Sequence, residues 1–383
     1  MTSSSGIEAE LRQGAERKPG QIDSIQALRA FAALAVVAHH AFRATTLHDA
    51  PSGAYAPPAW IIQAGAAGVD VFFVISGFLM AFISQKFFLG RNSPADFLID
   101  RIVRVWPPYA LVTLVACALI AARSGFGPEL AMPRLLTIFF IPSFDISGNL
   151  QPIIGPGWTL CYEMMFYACF TLVIASGRKH AILKLSGLIG ALYLLGLFSA
   201  NKVVHAFLAE PIVFEFVVGA IIGFRFRETR KKLRLPIVWI AAGLIGMLAG
   251  VYADISLQYR VFTYGIPATM LFVGFLSLSE SIRWPSPLLF IGNASYAIYL
   301  THILVIYMFT RRMPVFVNLG LEPLAVYGAS SIAILAATLV GLLFYMAVEK
   351  PVLRLSQHLV AGQAKARALT ARSVPAPAVT GTK

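Results

Sequence analysis

The chain has 383 residues, of which 58% are hydrophobic and 13% charged, with a mean hydropathy of +0.74. A soluble domain carries about 25% charged residues, so the composition excludes an ordinary soluble globule and predicts an all-α polytopic membrane protein. The net charge of +13 would suit nucleic acid, but its placement along the chain assigns it to membrane topology and leaves no nucleic acid among the expected partners.

Residues 1–22 are polar and contain no apolar h-region, so no cleavable signal peptide is expected and the first span stays in the mature chain. Apolar runs then begin near Ser24, Trp60, Pro107, Gly157, Ala181, Phe207, Pro236, Tyr259, Leu288 and Glu322. They predict about ten transmembrane helices within one domain, residues 23–355. A shorter run, LLTIFFIPSF, between the third and fourth reads as re-entrant or interfacial. Residues 356–383 form a basic, small-residue-rich tail expected to be disordered. With the amino terminus placed in the cytoplasm, most of the 31 Lys and Arg fall on that side, which predicts both termini inside. Their densest block, RFRETRKKLR (Arg225 to Arg234), suits a loop facing anionic membrane lipids. The three cysteines lie in apolar stretches without metal-site spacing, and no metal is expected. No Walker loop or dinucleotide fingerprint is present, so neither ATP-driven transport nor a Rossmann cofactor is supported. No internal repeat is visible, which weakens an inverted-repeat transporter.

Several costly residues lie inside these apolar runs, and an ionisable group within a span is a functional-site candidate by default. In SIQALRAFAALAVVAHHAF, Arg29 and His40 are eleven residues apart. At 100° per residue they share a helical face, about 16 Å apart along the axis. His39 lies roughly 100° round from that face. Asp70 falls near the middle of the second helix, Glu163 near the outer end of the fourth, Glu215 in the sixth and His302 in the ninth. Two histidines and three carboxylates around one interior cavity would suit proton transfer at neutral pH. The same residues also have structural readings. Asp70 could hold a helix break, Glu215 an interhelical bond, and Glu163 an outer gate. In RIVRVWPPY, Arg101 and Arg104 stand at i,i+3 on one helical face. With Arg29 they would form a basic pocket at the inner surface, and guanidinium forks bind phosphate bidentately.

These motifs together resemble the membrane-bound acyltransferase family three, and within it the exopolysaccharide O-acetyltransferases. The matching segments are IQALRAFAALAVVAHHA, GVDVFFVISGFLM, RIVRVWPPY, PGWTLCYEMMFY, IGNASYAIYLTH and VEKPV, in family order over all but the tails. The resemblance implies a ten-helix enzyme of the bacterial plasma (inner) membrane. It would take an acyl group, acetyl in the expected case, from cytoplasmic acyl-CoA to a sugar hydroxyl of an exopolysaccharide or lipid-linked oligosaccharide. Acetyl-CoA would be a co-substrate, with no tightly bound cofactor, and other polysaccharide-assembly proteins are potential partners. The family's essential Arg and His fall on Arg29 and His40, and its paired arginines on Arg101 and Arg104. Glu163 and His302 match recurrent motif positions, while His39 looks incidental. Many relatives carry a fused extracytoplasmic domain. None is visible in this sequence, so direct transfer or a separate partner is expected.

On this reading the CoA phosphates dock on Arg29, Arg101 and Arg104, and the pantetheine arm reaches inward to His40. That histidine acts as general base or as nucleophile, with Asp70 or Glu163 orienting its ring. Ser295, Tyr296 and Trp158 are candidate oxyanion donors, and Trp60, Trp158, Tyr162 and Tyr167 candidate sugar-stacking rings. The rival reading is a proton-coupled transporter of an anionic solute or lipid-linked glycan. It would need no acyl-CoA.

Overall fold

The computed structural model describes residues 22–47, 58–253, 259–278, 282–310 and 324–355. The regular secondary structure of these residues is helical, with one isolated bridge between Phe144 and Leu150. Ten apolar helical segments follow one another: α1 (Asp23–Leu47), α2 (Ala59–Phe88), α3 (Pro94–Ser124), α4 (Gly155–Ala175), α5 (Ala181–Leu197), α6 (Lys202–Thr229), α7 (Pro236–Tyr252), α8 (Val261–Ser277), α9 and α10 (Val326–Leu355). The ninth consists of two halves, Ser286–Asn293 and Ser295–Thr310, bent by 73° at Ala294.

The expected helix starts mostly fall on these segments, but the lengths do not give ten crossings. Among the described residues six helices (α1, α2, α3, α4, α6 and α10) are long and apolar enough to span, and α9 makes a seventh if its halves form one broken span. α5 and α7 have 17 residues each, about 25 Å against a hydrocarbon core of about 30 Å. The proposed tails, residues 1–21 and 356–383, lie outside the described residues.

The third helix also starts earlier than the apolar run suggests. Ser93 and Asp96 form a capping box, with Asp96 N–H on Ser93 Oγ at 3.1 Å and Ser93 N–H on Asp96 Oδ2 at 2.8 Å, and Pro94 takes the first helical position. Pro107 and Pro108 lie inside the helix rather than at its start. Arg101 and Arg104 are therefore fixed on a regular helix. The LLTIFFIPSF run forms short turns over Met132–Phe139 that cover α3, where Trp106 Nε1–H and Tyr109 O–H donate to the carbonyls of Ile138 and Thr137.

Glycine contacts set the helix packing. A Cβ on Gly77 of α2 would fall 2.0 Å from the Phe216 carbonyl oxygen, and one on Gly219 of α6 would fall 2.1 Å from that of Val74. Two backbones approach this closely only where both lack side chains, as membrane helix pairs commonly require. Phe73 stacks on Phe216 at 4.2 Å beside this contact. Helix α1 is held the same way: Gly68 meets the Ala32 carbonyl and Gly292 meets that of Gln26. Its buried face is small and apolar (Ala27, Ala30, Ala33, Val37, Ala41), which lets α2, both halves of α9 and α10 pack around it.

Candidate active site

Arg29 and His40 face the same neighbour, the second half of α9, as their spacing predicts. Arg29 donates from Nε to Ser295 Oγ at 3.1 Å. His40 meets His302 edge to face, ring centroids 5.0 Å apart. The two helices run side by side in the same direction, with an arginine–serine contact at one level and a histidine pair at another.

At the arginine level lies a cavity of about 110 Å³ lined by Arg29, Arg101 and Arg104 together with Ser76, Glu163 and Tyr167. Three guanidinium groups from two helices thus converge on one space. The i,i+3 placement on α3 turns both of its arginines inward. Arg101 keeps a buried Nε–H with no hydrogen-bond partner among the described residues. Glu163 is held by Ser76, whose hydroxyl donates to Oε1 at 3.0 Å, and by the Tyr167 hydroxyl on the same oxygen. Its carboxylate interacts electrostatically with Arg29 and Arg101. Glu163 therefore belongs with the arginines, not with the imidazoles.

The histidine pair is a separate place, with His302 fully buried and His40 half-buried. His40 Nδ1 lies 3.0 Å from the Val36 carbonyl and His302 Nδ1 lies 2.6 Å from that of Tyr299. A carbonyl only accepts, so each Nδ1 carries the hydrogen and each neutral ring leaves its lone pair on Nε2. His302 is fully buried and its Nε2 has no partner among the described residues. His39 turns away and pairs with the Ile62 carbonyl at 2.8 Å, which fits its incidental place in the sequence pattern.

Neither His40 nor His302 lines the arginine cavity. Tyr299 and Phe72 line it with their rings 6.1 Å apart, and the Tyr299 ring lies 5.7 Å from His302. The Tyr299 hydroxyl is anchored on the Pro156 carbonyl and within 3.0 Å of Thr159 Oγ1. A wall of two aromatic rings thus separates the cavity from the imidazoles.

Asp70 occupies neither place. It is fully buried and takes a bidentate bond from Arg260, Nε to Oδ1 at 3.0 Å and Nη2 to Oδ2 at 2.7 Å. Glu215 lies beside it, carboxyl against carboxyl within hydrogen-bonding reach. The expected ring-orienting carboxylate is thus absent from the imidazoles, where backbone carbonyls do that work, and the five costly residues fall into three groups rather than around one cavity. Arg260 escaped the sequence reading. Its signal was an arginine beside an apolar run on the side where few cations were counted, a position that needs a partner. Two candidate sugar-stacking rings are corrected as well. Tyr162 is buried against Phe207 at 4.4 Å, and Tyr167 is buried on Glu163. Of the candidate oxyanion donors, Ser295 and Tyr296 line the cavity. The Tyr296 hydroxyl is engaged by the Val105 carbonyl at 2.7 Å. Among the described residues no cluster of three His, Cys, Asp or Glu side chains could hold a metal ion.

Comparison with known proteins gives this arrangement its context. The exopolysaccharide production protein ExoZ of Rhizobium meliloti is 36% identical over 300 residues, covering 76% of this chain and 90% of that protein. The acyltransferase MdmB of Streptomyces mycarofaciens is 26% identical over 88% of this chain and 92% of its own length. The O-acetyltransferase OatA of Staphylococcus aureus is 26% identical over 87% of this chain, which spans only 57% of that protein. No solved structure matches. The acyltransferase domain of the acyltransferase-3 family matches residues 22–346. The chain belongs to that family and is an acyltransferase.

Proposed function

We propose that the chain is an O-acetyltransferase of the bacterial plasma membrane. It moves an acetyl group from cytoplasmic acetyl-CoA to a sugar hydroxyl of an exopolysaccharide or lipid-linked oligosaccharide. In this reading residues 23–355 form one membrane domain built on ten helical segments, with both tails in the cytoplasm. The names of two relatives, an exopolysaccharide production protein and an O-acetyltransferase, favour the acceptor and the acyl group. The observation that carries the reading is the convergence of Arg29, Arg101 and Arg104 on one cavity, with Arg29 on the same helix as a histidine whose lone pair is on Nε2.

Arg29, Arg101 and Arg104 hold the phosphates of acyl-CoA, the unpaired Arg101 Nε–H among the donors. The pantetheine arm covers the roughly 16 Å of α1 between Arg29 and His40. His40 Nε2 then takes the proton of the acceptor hydroxyl as its oxygen attacks the thioester carbon, and returns that proton to the departing CoA thiolate. Alternatively Nε2 attacks the thioester carbon and CoA leaves as the thiolate; the acceptor oxygen then attacks the acyl-imidazole carbonyl, the imidazole departs, and the hydroxyl proton ends on the CoA thiolate. In either route His302, its ring 5.0 Å from that of His40, offers a second place for the proton. Glu163 keeps the guanidinium groups aligned.

The test is the ester-acetate content of secreted polysaccharide in a deletion strain complemented with wild type or with His40→Ala at matched membrane abundance. Restoration by wild type alone supports the reading. Restoration by both removes His40 from the chemistry. Restoration by neither points to another glycan or to transport.

A further inference from the structure

Glu349, the acidic residue of the VEKPV segment, has no part in the chemistry above. It closes a π-helical turn, Tyr345–Glu349, inside α10, the kind of local irregularity found often at functional positions. The side chain is fully buried, its oxygens meet no side-chain donor among the described residues, and the backbone N–H of Ala297 is the group that reaches them. The turn packs on α3, which carries Arg101 and Arg104, and on the half of α9 that carries Ser295. One backbone donor does not compensate a carboxylate in an apolar interior, which is tolerated only where positive charge lies close. Here that charge comes from Arg104 and Arg29. Both arginines line the cavity and Glu349 does not, so the carboxylate meets them from behind.

We propose that Glu349 is a positioning residue for the arginine cluster, a built-in counter-charge that limits how tightly the cavity holds a phosphate-bearing ligand. The inference rests on the reading that the cavity takes the phosphates of CoA. Acetyl-CoA and the CoA left after transfer carry the same phosphates, so the arginines bind both alike. Such uniform binding lowers KM without helping the chemical step and, when too strong, retains the product. Three arginines opposed by Glu163 alone would hold CoA more firmly. Glu349 offsets part of that field, keeps Arg29 and Arg104 from repelling each other, and lets CoA leave.

The experiment measures CoA binding by calorimetry, with thermal midpoints, for full-length wild type, Glu349→Gln and Glu349→Asp in detergent or nanodiscs. Glu349→Gln is expected to bind CoA about tenfold more tightly, the effect of removing one like-signed charge near the phosphates, while Glu349→Asp stays near wild type. Unchanged or weaker binding in a folded Glu349→Gln protein would overturn the inference. Should that variant not fold, the Arg104→Gln/Glu349→Gln pair is compared with Arg104→Gln alone. Tighter CoA binding by the double variant supports the proposal, and equal or weaker binding overturns it. Wild-type protein that binds no CoA would overturn the donor reading itself, and this inference with it.

Discussion

The arginine cavity and the histidine pair are both built on α1, yet they differ in how completely their polar groups are satisfied. Around the cavity, guanidinium and carboxylate groups from separate helices face each other with donors to spare: among the described residues Arg101 Nε has no partner, and Glu349 meets no side-chain donor. Around the imidazoles, backbone carbonyls one turn back fix each Nδ1, and His302 is sealed from solvent. Spare donors beside a cavity suit a surface that must accept an anion and release it. A fixed tautomer suits a group that must present one lone pair in one direction. The aromatic wall of Tyr299 and Phe72 keeps the two regions apart in this state. Donor binding and chemistry are therefore separable, and variants should divide into those that change one and those that change the other.

The largest expected effect lies outside both regions. Asp70→Asn breaks a buried bidentate pair and leaves Arg260 uncompensated, which should cost about 3–5 kcal/mol of stability. The loss should appear as a lower thermal midpoint and reduced membrane abundance. A folded Asp70→Asn protein with a wild-type midpoint and no transfer would instead return Asp70 to the chemistry. Replacing Arg101 and Arg104 together with Ala should weaken CoA binding by about a hundredfold or more, since each charge-assisted bond contributes roughly 1.5–3 kcal/mol. Titration with CoA checks this, and undiminished affinity would mean that the cavity is not the phosphate site. Tyr299→Phe removes a hydroxyl anchor worth about 1 kcal/mol, so the wall should open several-fold more often. Acetyl-CoA hydrolysis without acceptor should rise by that factor while CoA affinity stays put. Unaltered hydrolysis would show that the wall does not gate the thioester.

How far the sequence reached follows from what periodicity can and cannot say. Helical periodicity reports the face of a residue, so the eleven-residue spacing of Arg29 and His40 and the i,i+3 spacing of Arg101 and Arg104 were readable before any neighbour was known. The ten apolar segments were readable from hydropathy, though not which of them are long enough to span. Pro107 and Pro108 looked like the beginning of a helix that in fact starts at the Ser93 capping box, because surrounding helices let α3 accept two internal prolines. Partners across the fold were not readable. Asp70 meets Arg260, 190 residues away, Glu163 joins the arginines, and Glu349 reaches them from the far end of the chain. Each of these depends on how the helices pack, which the glycine contacts of α2 with α6 and of α1 with α2 decide.

The separation of binding from chemistry is tested most directly by His40→Ala, with CoA affinity and acetyl transfer from labelled acetyl-CoA measured on the same preparation. The account predicts wild-type affinity for CoA together with a loss of transfer of about 10²–10⁴-fold. Transfer at the wild-type rate, or a loss of transfer matched by an equal loss of CoA binding, would contradict it.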